Sequence, residues 1–231
     1  MNWLSRALTS SIGLKLIAAL TGLGLFGFML VHAQGNLRIF IDDGAAIDAY
    51  AEHLHTAWWL PFAEVSLLVL FALHIFTVVK LTLANRAARG QQRYAQSASK
   101  RGGGAASASS RTMAVSGLIV LAFLVVHVGF VRLRRENLFH PWFDEATRPH
   151  IEPVTVALKA HLSNPLMAGL YVVGSILVCW HLFHGVQSAF RSLGLNHSKY
   201  TPMIEVGGKV AAIALGLVFA SIPIAIVLGL V

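Results

Sequence analysis

The chain has 231 residues, of which 56% are hydrophobic and only 12% charged, and a mean hydropathy of +0.67. That composition excludes an ordinary soluble domain and points to a polytopic membrane protein. The net charge of +8 does not indicate a nucleic-acid binder, because the basic residues fall between apolar spans and are not interleaved with stacking aromatics. The one cysteine, Cys179, lies inside an apolar run, so there is neither a disulfide framework nor a CxxC redox or metal motif.

A short N-terminus, with Arg6 as its only charged side chain, leads into a first apolar span over about 12–32. It is too long for a signal-peptide core and lacks a clear cleavage site, which predicts a retained membrane helix. Lys15 lies close enough to the end of the span to snorkel to the interface. Gly13, Gly22, Gly24 and Gly27 make one side of the helix small, open to a neighbouring helix or a flat macrocycle. The connection that follows carries Asp42, Asp43, Asp48 and Glu52 against Arg38 alone, and ends at Trp58 and Trp59, an interfacial aromatic pair.

A second span is predicted over 61–83, with Glu64 near its start. Residues 86–111 are rich in Gly, Ser, Ala and basic side chains without an apolar period, the composition of a flexible loop. A third span covers about 113–131. The segment after it mixes both charge signs with three prolines, and Val154 to Leu162 is predicted as a short helix outside the membrane. A fourth span covers about 166–190, and a polar turn leads to a fifth over 206–231. The expected fold is an all-α membrane protein in which five transmembrane helices form one bundle across residues 1–231.

Orientation follows from charge. Lys80, Arg86, Arg89, Arg93, Lys100, Arg101 and Arg111 crowd the connection between the second and third spans without an acid, so that loop is expected in the cytoplasm. Five helices then put the N-terminus inside and the C-terminus outside.

Four of the five spans carry histidine: His32, His74 and His127 singly, and His181 with His184 on the fourth. A lone buried histidine is more often a hydrogen-bonded packing residue than a ligand. An imidazole within hydrocarbon is nonetheless expensive, and marks a functional site by default. At a rise of about 1.5 Å per residue through roughly 30 Å of hydrocarbon, His74 and His181 lie about 20 and 24 Å below the outer ends of their helices. His32 and His127 lie about 32 and 24 Å from the inner side at the same rise. Histidines thus pair by depth, His74 with His181 nearer the cytoplasm and His32 with His127 nearer the outside, as two haem irons each held between two imidazoles require. Two ligands per iron leave no open position, which suits electron transfer rather than oxygen binding. His184, three residues after His181, is a rival ligand that spacing alone does not separate. His53, His55, His140, His150, His161 and His197 fall in connecting segments, where solvated or interfacial positions are expected. Ser11 and Lys15 stand one helical turn apart at the cytoplasmic end, suited to a quinone carbonyl or a haem propionate. Glu52 and Glu64 are candidate proton relays on the outer side.

Three stretches, SSIGLKLIAALTG (10–22), HAQGNL (32–37) and HLFHGVQSAFRSLGLNHSKYTP (181–202), resemble the five-helix dihaem cytochrome b membrane-anchor subunit of bacterial succinate:quinone oxidoreductases, of the succinate dehydrogenase and fumarate reductase type. The resemblance extends over all five spans. It implies two b haems, with His32 and His127 on the outer iron and His74 and His181 on the inner. It favours His181 over His184, because family members place this ligand four residues before a glycine, as His181 and Gly185 stand. It implies a quinone or propionate role for Ser11 and Lys15, a membrane quinone as electron partner (menaquinone ahead of ubiquinone), and residence in the bacterial inner membrane. It also implies two partner subunits on the cytoplasmic face, a flavoprotein with covalent FAD and an iron-sulfur protein. The chain would then carry electrons between those subunits and quinone, and could not oxidise succinate alone. Trp180 stands where some family members carry an acid. The cytochrome b subunit of a hydrogenase or formate dehydrogenase is a competing expectation, opposed by the GNL and HLFHG motifs. A proton-coupled transporter is another, opposed by the lack of an internal repeat.

Overall fold

The computed structural model describes residues 2–88, 112–130 and 153–231. These are helical almost throughout, with no strand among them. In chain order the helices are α1 (Trp3–Thr9), α2 (Ser11–Asn36), α3 (Ala45–Thr56), α4 (Leu60–Ala88), α5 (Met113–Val128), α6 (Val154–Leu162), α7 (Pro165–Ser192) and α8 (Thr201–Val227). Helices α2, α4, α7 and α8 are long and apolar enough to cross a membrane. Large apolar side chains along them are exposed, among them Leu68, Val173 and Leu217. An outward apolar surface suits helices whose surroundings are lipid, and is compatible with a multi-pass membrane protein.

Several boundaries differ from the sequence reading. A separate N-terminal helix, α1, precedes the first span; Asn2 caps it by accepting from the Ser5 N–H at 3.0 Å. Helix α2 continues to Asn36, and α4 to Ala88, three residues into the stretch expected as a loop. Residues 89–111 of that stretch lie outside the described residues. Helix α8 starts at Thr201, not near residue 206, and ends at Val227. Helix α5 is described for 16 residues, with Gly129 and Phe130 continuing as a wider π turn; the end of the third expected span, at Val131, is outside the described residues. Helix α6 occupies the predicted Val154–Leu162.

The chain divides into two compact units. One comprises Met1–Met29, Trp59–Val115 and Trp180–Ala212; the other comprises Leu30–Trp58, Ser116–Cys179 and Ile213–Val231. In the first unit, α2 presents glycines to α4. A Cβ at Gly22 would stand 3.1 Å from His74 Cε1, and one at Gly24 would stand 3.3 Å from Leu70 Cδ1. The small-residue side of the first span therefore receives a neighbouring helix at these two positions, while Gly27 has nothing among the described residues within 4 Å.

The second unit has its core in Ile39, Ile47, Leu162, Tyr171, Ile222 and Ile226, with Val154 and Leu158 packed against it. The acid-rich connection is folded, not extended. It runs through 3-10 turns at Leu37–Phe40 and Asp42–Gly44 into α3. Asp42, Asp43 and Gly44 have φ of 50°, 52° and 91°, a left-handed run that aspartate tolerates and glycine adopts freely. A side chain at Gly44 would collide with Thr155, so glycine is also needed there for space. Asp48 then ties α3 to α6: its carboxylate accepts from the Thr155 N–H at 3.0 Å and from the Thr155 hydroxyl at 2.5 Å. Thr155 lies in the first turn of α6, where backbone N–H groups have no helical partner. Asp48 thus caps that helix from another element.

Candidate functional site

Two histidine pairs form, one within each compact unit. In the first unit, His74 on α4 is half-buried against the glycine side of α2. Its Nδ1 lies 3.2 Å from the Ala18 carbonyl oxygen and 3.2 Å from the Thr21 hydroxyl oxygen. A carbonyl only accepts, so Nδ1 carries the proton. The Thr21 hydroxyl donates to Ile17 O at 2.7 Å, which leaves its oxygen free to accept from His74. The tautomer so fixed leaves Nε2 with a lone pair, as an imidazole ligand requires.

His181 on α7 is close enough to His74 to interact with it electrostatically, and it also senses His184. His184 has a different setting: its Nδ1 lies 3.5 Å from Gln187 Nε2, and its charged neighbour is Arg191. Gln187 is itself anchored on Phe183 O at 3.3 Å. Of the two histidines on α7, His181 is the one whose surroundings include His74. Trp180 turns to donate its indole N–H to the Thr112 hydroxyl at 2.9 Å. Ser11 and Lys15, in the same unit, are exposed on the first turns of α2.

In the second unit His32 and His127 face each other with ring centroids 6.0 Å apart and planes at 82°. Two imidazoles on opposite sides of one metal, each bonded at about 2 Å, place their ring centroids about 6 Å apart. The residues present therefore fit a bis-imidazole iron at this spacing. Aromatic rings surround the pair: Phe219 lies 5.7 Å from His32, Phe123 stacks on His127 at 6.0 Å and 28°, and Tyr171 lies 5.7 Å from His127. Flat apolar walls of this kind suit a macrocycle. Among the described residues no group of three or more His, Cys, Asp or Glu gathers to hold a bare metal ion; a haem needs only two protein ligands.

His161, expected in a solvated or interfacial position, is half-buried: it stacks on Phe130 at 4.2 Å and 26° and meets Tyr171 edge to face at 5.7 Å. The signal was in α6: Val154, Leu158 and Leu162 recur at helical spacing, and His161 shares their face. Phe219 and Tyr171 had no such signal, since aromatic residues on an apolar span look alike until the helices are packed. Glu52 is exposed on α3 and Glu64 half-buried on α4, and the two belong to different compact units. His140 and His150 lie outside the described residues.

No family model, no curated protein and no solved structure matches this chain.

Proposed function

We propose that the chain is the dihaem cytochrome b membrane-anchor subunit of a succinate:quinone oxidoreductase, relaying electrons between an iron-sulfur partner and a membrane quinone. The observation that carries this is the occurrence of two separate imidazole pairs on apolar helices, His74 with His181 and His32 with His127, each within its own compact unit. The motifs at 10–22, 32–37 and 181–202 support the succinate type over other membrane cytochromes.

In this proposal His74 and His181 hold one haem and His32 and His127 the other. A bis-imidazole haem supplies one-electron transfer and has no open position for oxygen. The residues of the chain do the rest. Thr21 and Ala18 hold His74 in one tautomer and orientation. Gly22 and Gly24 let α2 come close to α4. Phe123, Phe219 and Tyr171 give the second pair its aromatic surroundings. Ser11 and Lys15, exposed at the start of α2, are available to a quinone carbonyl or a propionate. A flavoprotein with covalent FAD and an iron-sulfur subunit would dock on the cytoplasmic face, and menaquinone is the favoured carrier.

The test is a reduced-minus-oxidised absorption spectrum of the purified chain, with haem counted per polypeptide. Two b haems per chain are expected; none would sink the proposal. Purification with associated subunits then separates the succinate type from a hydrogenase or formate dehydrogenase cytochrome. Succinate-dependent quinone reduction is expected, and hydrogen- or formate-dependent reduction in its place would reject the succinate assignment.

A further inference from the structure

The second unit contains polar groups that ligation of iron leaves unused. Tyr171, on α7, is only 8% exposed. Its ring meets Phe123 edge to face at 5.3 Å and 81°, and stands 5.7 Å from both His127 and His161. Among the described residues its hydroxyl is buried without a hydrogen-bond partner, and so is Nδ1 of His127. A buried hydroxyl left unsatisfied is destabilising, and phenylalanine would fill the same space without that cost. The hydroxyl is therefore better explained by a partner outside the described residues.

The chemistry of the surroundings narrows that partner. A phenol donates readily, and when Nε2 of His127 binds iron its Nδ1 carries a proton and donates as well. Two donors in one ring cluster call for an acceptor oxygen. Phe123 and the stacked Phe130–His161 pair add flat walls, which suit a conjugated ring.

We propose that the Tyr171 hydroxyl donates a hydrogen bond to an acceptor oxygen of a redox-active molecule seated beside His127: the carbonyl of a quinone or the carboxylate of a haem. This rests on His32 and His127 being a ligand pair. The two sources share one chemistry and part under measurement.

The experiment uses Tyr171→Phe in the intact membrane complex, with Ile226→Ala, in the same buried core as Tyr171, as a packing control. Three quantities are read: haem content, the midpoint potential of each haem, and KM for dimethylnaphthoquinone. A KM raised roughly five- to tenfold, with haem content and potentials unchanged, assigns the hydroxyl to the quinone carbonyl. A shifted potential of one haem with unchanged KM assigns it to the haem carboxylate. No change in any readout overturns the proposal, and so does the same change in Ile226→Ala, since that variant disturbs the packing and keeps the hydroxyl. Absence of b haem from the unaltered complex is a separate result, which removes the ligand pair itself.

Discussion

The contrast between His181 and His184 shows how different the settings of two histidines on one helix can be. Both sit on α7 three residues apart, yet His181 shares its surroundings with His74, and His184 is engaged by Gln187 and Arg191. His181→Ala is therefore expected to lose one of two haems, while His184→Ala keeps both. Haem stoichiometry of the purified variants decides this, and the reverse pattern would move the ligand to His184. Thr21 offers a finer test. A hydrogen bond from Nδ1–H to an oxygen makes an imidazole a stronger donor and stabilises ferric iron. Thr21→Val removes one of the two acceptors of His74 and leaves Ala18 O. If that bond is worth about 1 kcal/mol, the midpoint potential of the haem held by His74 rises by up to roughly 40 mV for one electron. Thr21→Ser keeps the acceptor and is expected to restore the potential, a rescue that a packing defect alone would not show. Potentiometric titration of the b-band absorbance reads both variants.

At the level of elements, the expected short helix over Val154–Leu162 matches α6, but the capping of that helix by Asp48, 107 positions away in sequence, could not have been foretold. Local signals report caps within a few residues; a cap supplied by another helix depends on packing. Asp48→Ala removes a carboxylate that accepts two hydrogen bonds, and the expected loss of stability is about 2 kcal/mol. Because the contact is confined to α3 and α6, hydrogen exchange should quicken at 154–162 well before the long helices respond. Unaltered exchange there would show that the bond contributes nothing. The 3-10 turns and α3 were missed for a related reason: an acid-rich connection without a strong apolar period resembles an open loop until Ile39 and Ile47 are seen buried. Four of the five expected spans were readily legible as long apolar helices, because about 20 apolar residues have few alternatives to a membrane helix. Their ends were less so, since polar residues continue the helical hydrogen bonds past the apolar run in α2, α4 and α8.

Across the whole molecule, charge rather than shape predicts topology. Seven basic residues between Lys80 and Arg111, with no acid among them, lead to the expectation that this connection is cytoplasmic. A reporter domain inserted at Ser97 is expected to be active only inside the cell, and one fused after Val231 only outside; the opposite result would invert the proposed orientation. Apolar run length, histidine position and charge asymmetry are properties of the linear chain, so the sequence alone determined that there are long membrane-type helices and which of them carry imidazoles. Depth counting along straight helices led to the expectation that His32 pairs with His127 and His74 with His181. Only the tertiary structure decided which face each ring turns to: Nδ1 of His74 onto Thr21 and Ala18, His161 and Tyr171 into an aromatic cluster, and His184 toward Gln187. Those choices depend on helix rotation and close approach, which arise from contacts between residues far apart in the chain and leave no periodic mark within it.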